Sequence, residues 1–567
     1  MPITPETKPM AVTPDDTLAT KTPSSALEPL REPAYRRIWG ASFLSNFGQL
    51  ILGVGVAWEM TRLTDSPAMV ALVQTALMLP LMLVALPAGA IADMFDRRKV
   101  AMTGLAIASG FGLTLSLLAY LQLTTPWLLL AFCSLIGSGY ALYAPAWQSS
   151  IGEQVKPAAV PAAVALNTIS YNIARSFGPA VGGLLVLAAG AQAAFAVNAF
   201  GYLPLMLAFF LWRRGQVPSR LPPERISRAI ISGVRYVFHA GGIRTVLVRA
   251  FIFGLGSGTA TALAPLIAKH LLGGDAATFG ILLGAGGVGA VLGALTINWV
   301  HNHLGLEKAV STLSALAGIA LVGVGFSHSL VLTSIGMFLV GGATMVTISL
   351  CNIAVQVSVP RWVTARALSL FSSLLTGGIA VGAWFWGSVA SWWSVEVAII
   401  ASGLFLCCLP LLAFVLRLPN INEASAESVD LDTEPEVALA ITLRSGPVAI
   451  EIDYHIAPDD ARSFYDAMRD VRKVRLRNGG FDWSISRDIA DPALWTERFH
   501  FPTWGDYLRM RDRYTLADMA AQTKADQYQI AEQPKSIRRR LERPFGSVRW
   551  QTETPDTHQE TVVYMGP

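Results

Sequence analysis

A compact group of opposite charges sits between two long apolar runs, in "GAIADMFDRRKV" from Gly89 to Val100. Asp93, Asp96, Arg97 and Arg98 fall close enough together to form ion pairs that hold one end of a helical bundle shut and break when it opens. Gly89 lets a neighbouring helix approach closely. The competing reading is that these charges only set how the chain threads a bilayer. Deeper in the apolar sequence, Arg175 stands alone. A guanidinium at bilayer depth costs about 3 kcal/mol on insertion scales, so it must face a cavity or a partner. It would bind an anionic substrate, or pair with a carboxylate when no substrate is present.

Other polar residues in apolar surroundings are candidates for a substrate or proton path. Asn46 and Gln49 are three residues apart, on one helix face, and suit either a cavity wall or a helix–helix hydrogen bond. Glu59 would carry a coupling proton or pair with Arg62. Arg249 resembles Arg175 but lies nearer a helix end, where its head can reach the interface. Tyr140, Tyr143 and Trp147 suit an aromatic cavity or an interface belt. Asn352 and Gln356 are the second-half candidates. Gly178, Pro179, Gly182 and Gly183 predict a closely packed helix that Pro179 can kink, a place for two bundles to rock against each other.

The elements that would position these groups follow from charge distribution. Residues 421–567 carry 44 charged side chains and the preceding 420 only 38, which divides the chain into a membrane part and a soluble tail and excludes a single soluble enzyme or a disordered chain. Apolar segments of bilayer length, about 20 residues, begin near Ile38, Met69, Val100, Trp127, Val160, Ala193, Gly242, Ala277, Ala309, His328, Ala365 and Val395. Twelve membrane helices are therefore expected, an all-α bundle. Arginines and lysines gather at Arg31–Arg37, Arg97–Lys99, Lys156, Arg213–Arg235, Lys308 and Arg361, while the alternate loops "LTTP" and "GAQ" are uncharged. That asymmetry puts both termini in the cytoplasm.

The expected organisation is a solvated N-terminal tail (1–33), a six-helix bundle (34–212), a cytoplasmic loop (213–241), a second six-helix bundle (242–418), a linker (419–435), a soluble domain (436–530) and a basic extension (531–567) that can touch anionic lipid. "GPAVGG" at 178–183 recurs as "GIAVGA" at 378–383, and Gly89, Gly139 and Gln154 recur as Gly293, Gly341 and Gln356. Duplicated halves predict a binding site near mid-depth between them. Nothing points to nucleic acid, because no basic face dominates. Cys133, Cys351, Cys407 and Cys408 lie in apolar runs without metal-ligand spacing, so neither metal nor disulfide is expected. No Gly-x4-Gly-Lys-Ser/Thr loop supplies nucleotide chemistry, which leaves an ion gradient as the energy source, and no cofactor is expected.

The Gly89–Val100 segment resembles the signature of the major facilitator superfamily, Gly-x3-Asp-x2-Gly-Arg-Arg/Lys. Gly89, Asp93, Arg97 and Arg98 match, and Asp96 replaces the usual glycine. With "VAWEMTRLTDSPAMVALVQTALMLPLMLVALPAGAIADMFDRR" and "ARSFGPAVGGLLV", residues 30–418 resemble the enterobactin-exporter and transmembrane-secretion-effector subgroup. The resemblance implies proton-coupled export of siderophore-like or amphipathic small molecules across a bacterial inner membrane, by alternating access. An importer of the same fold is the alternative within transport.

In the tail, "VALAITLR" and "VAIEIDYHI" read as strands, "PDDARSFYDAMRDVRKVRLR" as an amphipathic helix, "FDWSISRDI" and "LWTERFHF" as strands, and "TWGDYLRMRDRYTLADMAAQ" as a second helix. That order predicts an α+β ferredoxin-like domain. Residues 447–519 resemble the C-terminal domain of some of these exporters and, more distantly, antibiotic-biosynthesis monooxygenases. Trp504, Asp506, Leu508 and Arg509 keep that pattern, but Tyr507 replaces its histidine. His455 and His500 read as strand residues. Regulation or dimerisation is expected of the tail, with a tethered oxygenase or isomerase as the alternative.

Overall fold

The computed structural model describes residues 27–156, 159–212, 241–418, 435, 437–439, 441–512, 514–531 and 533–542. The expected N-terminal tail up to residue 26, most of the central loop and linker, and the extension beyond residue 542 lie outside them. In hydrocarbon every backbone polar group needs an internal partner, and the apolar runs meet that demand as helices. The first half holds α1 (Pro33–Leu63), α2 (Pro67–Met94), α3 (Arg97–Tyr120), α4 (Pro126–Gln154), α5 (Val160–Ala189) and α6 (Ala191–Leu211). The second holds α7 (Gly241–Ala262), extended by helical turns to Leu271, then α8 (Ala276–Phe326), α9 (Leu330–Ser358), α10 (Arg361–Trp392) and α11 (Val395–Cys408).

Among the described residues, eleven helices have the length and apolarity to cross a membrane. One of them departs from the sequence expectation. The segments expected to start near Ala277 and Ala309 form a single 51-residue element, α8, interrupted at Gly305, where φ is 67° and ψ 169°. Its length is about 76 Å at 1.5 Å per residue, against a hydrocarbon core of about 30 Å. Proline at the first helical turn starts α1, α2 and α4, where its missing N–H costs nothing. Side-chain oxygens of Asp96, Thr125, Asp275 and Ser394 cap α3, α4, α8 and α11.

The internal repeat has a structural counterpart. A Cβ on Gly182 of α5 would lie 3.1 Å from the Ile51 Cα of α1, and a Cβ on Gly382 of α10 would lie 2.1 Å from the Leu255 carbonyl of α7. In each half the same small-residue stripe lets the fifth-helix equivalent press against the opening helix. Leu184, Leu187, Phe200, Leu295 and Phe326 are exposed on the outside of the bundle, as a lipid-facing surface requires.

The tail contains a four-stranded antiparallel sheet of order β2-β3-β1-β4, with β1 (Val448–His455), β2 (Phe481–Arg487), β3 (Leu494–Phe501) and β4 (Ser536–Leu541). Helix α12 (Ala461–Arg477) joins β1 to β2, and α13 (Trp504–Asp512) and α14 (Leu516–Asp526) precede β4. Val448, Ile450, Ile452 and Tyr454 alternate onto the helix-covered face with Phe499 and Phe501. Three expectations are corrected. "SIRRRL", expected in the basic extension, pairs with β1 as an edge strand, which suits it because Arg538 and Arg540 face solvent and the acidic row Glu451 and Asp453 of β1. The "VALAITLR" segment forms no strand among its described residues. The expected second helix is two, because Thr515 restarts the chain with a capping box to Asp518.

Candidate functional site

Between the halves lies a cavity of about 430 Å3, inside the range of small-molecule sites. Its wall draws on both halves: Gln49, Tyr140, Tyr171, Arg175, Pro179 and Tyr202 from the first, Ser257, Thr261, Phe279, Met337 and Thr344 from the second. Arg175 is the sixteenth of thirty residues in α5, so the bundle presents it near mid-depth. Its Nη1 reaches the Met345 sulfur of α9 at 3.8 Å.

The cavity is sealed at the end where α1 finishes, which is the end opposite the tail. Lys269 donates from Nζ to the Thr61 carbonyl at 2.7 Å and lies 3.9 Å from Asp65. The Trp58 and Phe279 rings stack at 6.4 Å. The Ala68 N–H donates to Ser391 Oγ at 2.9 Å. Gly183 of α5 meets Ala276 and Gly280 of α8. Each contact joins one half to the other.

Of the path residues read from the sequence, Gln49, Tyr140 and Arg175 come together on the cavity wall and the others lie elsewhere. Asn46 Nδ2 donates to Ser170 Oγ at 3.4 Å, the helix–helix alternative, beside bonds from Tyr35 and Trp39 of α1 to α5 carbonyls. Glu59 is 3% exposed and accepts from Arg62 at 3.1 Å, with Thr124 Oγ1 at 3.5 Å. Tyr143 is buried between Tyr140 and Phe209, and Trp147 packs on Phe209. Asn352 Oδ1 accepts from Gln356 at 2.6 Å. Arg249, 4% exposed, pairs with Glu307, whose other oxygen accepts from the Leu418 N–H at 2.7 Å.

Several contacts tie the charged segment to its own half. Asp96 caps α3 through the Arg98 N–H at 3.0 Å. Arg97 pairs with Glu153 of α4 at 3.0 Å, and Arg98 donates to the Phe210 carbonyl of α6 at 2.5 Å while covering its ring. Gly89 and Asp93 fall in the last two turns of α2. Gly178 and Gly182 pack on α1, whereas Gly183 packs on α8 of the other half. Sequence reasoning missed Glu307, Lys269, Tyr171, Tyr202 and Thr344. Glu307 was legible only as a charge next to Lys308, and the aromatic and hydroxyl residues are ordinary components of membrane helices.

In the tail, Glu497 is fully buried and accepts from Arg475 at 3.0 Å, Trp483 at 2.8 Å and Tyr454 at 3.0 Å. Burial, with the Glu497 charge adding to it, holds the Tyr454 phenol well above its ordinary value. Tyr507 is buried and accepts from Arg539 Nε at 2.9 Å. His500 lies 3.1 Å from Glu542 on the open sheet face.

The family described as transmembrane secretion effector matches residues 24–545. A staphyloferrin A transporter of Staphylococcus aureus is 26% identical over 53% of this chain and 76% of its own length. An enterobactin exporter of Escherichia coli is 25% identical over 65% of this chain and 88% of its own. Among solved structures, a bacterial homologue of the human lysosomal transporter Spinster superposes with a TM-score of 0.56 at 14% identity, covering 69% of this chain and 97% of that one. The nucleoside transporter NupG gives 0.54 at 13%, covering 68% and 100%. Both likenesses concern the fold.

Proposed function

The chain belongs to the transmembrane secretion effector family of major facilitator transporters, and from that premise we propose that it is a proton-coupled exporter of small amphipathic, siderophore- or drug-like molecules. The observation that carries the reading is the cavity near mid-depth, walled by both halves and sealed at one end by contacts between them. Alternating access needs those contacts to part while others form at the opposite end. The names of the siderophore-transporting relatives support the substrate class.

In this reading the protein crosses a bacterial inner membrane twelve times, the break at Gly305 dividing α8 into two crossings. The basic residues at alternate helix ends support cytoplasmic termini, so the sealed end faces outward and the cavity loads from the cytoplasm. Gly89, Asp93, Asp96, Arg97 and Arg98 form the cytoplasmic gate, and Glu59, buried beside the sealed end, is the candidate proton carrier. The tail is a ferredoxin-like module, its strand order and β-α-β-β-α-β sequence fitting that plan, and it serves regulation or dimerisation.

The test is uptake into inverted membrane vesicles, with catecholate siderophores and amphipathic dyes offered under an imposed proton gradient. Gradient-dependent uptake abolished by a protonophore is expected. Flux confined to right-side-out vesicles would replace the exporter with an importer.

A further inference from the structure

Resting on the transporter reading above, we propose that the cavity takes an anionic amphipathic substrate, its acidic oxygens held by Arg175 of the first half and Thr344 of the second. Among the described residues that line the cavity, Arg175 alone carries a charge. Its guanidinium is permanently protonated and offers five N–H donors. The side-chain hydrogen bond it makes goes to a thioether, a weak and neutral acceptor. The sequence left two roles open for this residue, and the carboxylate that the second would need is not among the described lining residues. A positive charge therefore stands in a mostly apolar chamber with no anion among the described residues against it, and an uncompensated charge in such surroundings is costly. A ligand anion removes that cost.

A second observation points the same way. Thr344 Oγ1 is buried and makes no hydrogen bond among the described residues, and Thr344 is one of the residues lining the same cavity. It is adjacent in α9 to Met345, the residue the Arg175 guanidinium touches. The two halves thus each contribute a donor to the lining, a guanidinium from α5 and a hydroxyl from α9. Tyr140, Tyr171 and Phe279 supply aromatic surface for the substrate's apolar body.

An anion bound to both groups links α5 to α9, so its binding energy depends on how the halves are disposed, which is what a transported ligand requires. Amphipathic cations, by contrast, meet a like charge at the one charged position. The inference narrows the substrate class accordingly: acidic compounds enter, cationic dyes do not.

The experiment uses the full-length protein in nanodiscs and three probes sharing one ring system: 1-pyrenebutyrate, its neutral amide and the corresponding butylammonium. Binding is read by energy transfer from tryptophan to pyrene, with empty nanodiscs as the partition control. The carboxylate is expected to bind at least about 10-fold more tightly than the amide, the typical scale of one charge-assisted hydrogen bond, and the ammonium more weakly still. Arg175→Met should abolish the preference, Arg175→Lys should keep part of it, and Thr344→Val should reduce it. Lys308→Gln, an exposed lysine outside the cavity, should leave it intact. Equal binding of the three probes, no binding of the carboxylate, or a preference that survives Arg175→Met in a folded protein would overturn the proposal. Gradient-driven flux of cationic dyes without a carboxylate preference would remove the anion site and leave the exporter standing. Carboxylate binding without flux would do the reverse.

Discussion

Replacing Gly183 by alanine should open the end of the bundle opposite the tail. The added Cβ would lie 2.5 Å from the Ala276 carbonyl oxygen and 3.0 Å from the Gly280 Cα. Both are backbone atoms of α8, so no side chain can rotate away. With ordinary carbon contacts of about 3.5 Å, α5 and α8 must separate by roughly 1 Å. Overpacking of this kind costs about 1–3 kcal/mol, and the cost falls only on the arrangement in which these helices are pressed together. The ratio of open to closed at this end then rises by about 5- to 150-fold. The assay places a single cysteine at Ala57, on the cavity wall, in a chain with Cys133, Cys351, Cys407 and Cys408 replaced. A membrane-impermeant maleimide is added from the face opposite the tail. Labelling should accelerate at least about 5-fold, while Gly110→Ala, whose Cβ meets nothing within 4 Å, should not change it. Unchanged labelling in Gly183→Ala, with or without a lower melting temperature, would refute the reasoning, because the strain would then have been absorbed without moving the halves.

Four further outcomes follow from the same contacts. In a double-mutant cycle on the purified chain, Arg249→Ala and Glu307→Ala should show a coupling of about 1–3 kcal/mol in denaturant unfolding, with the double variant less damaged than the sum of the singles. Glu497→Gln should destabilise the tail by about 3–5 kcal/mol, since it strips the buried Arg475 of its counter-charge, and calorimetry of the full chain should show the tail transition moving down. Gly305→Ala should cost about 1–3 kcal/mol from backbone strain alone, as a Cβ there meets no atom within 4 Å. The tail should lose stability as pH rises above 10, because unfolded chains release the Tyr454 proton there while the folded tail keeps it. That slope is at most about 1.4 kcal/mol per pH unit for one proton, and Tyr454→Phe should flatten it in denaturant midpoints between pH 9 and 11.

How much was legible depended on which physical rule each residue answered to. Apolar runs of bilayer length are dictated by the solvent, so the membrane helices could be read directly, and only the join at Gly305 makes one element of two expected segments. The glycine stripe was legible because its spacing repeats, and Gly182 and Gly382 indeed approach the opening helix of each half. Arg175 was legible because a lone guanidinium in hydrocarbon demands a cavity or a partner. Asn46, Tyr143 and Asn352 demand less: an amide or phenol in a helix is satisfied by a neighbouring helix as readily as by a cavity, and helix rotation decides which. Glu307 carries the same demand as Arg175, but it sits beside Lys308 just past a helix break, where a charge ordinarily meets water. The tail's β4 was concealed by its arginines, which an edge strand tolerates and a central strand does not.

The most direct test of the exporter reading follows substrate and protons together in proteoliposomes of the purified protein, with a pH-sensitive dye inside. The account predicts that substrate moves out of the compartment into which the tail projects while protons move in, and that reversing the gradient reverses both flows. Substrate flux that ignores the gradient, or that travels in the same direction as the protons, would contradict it.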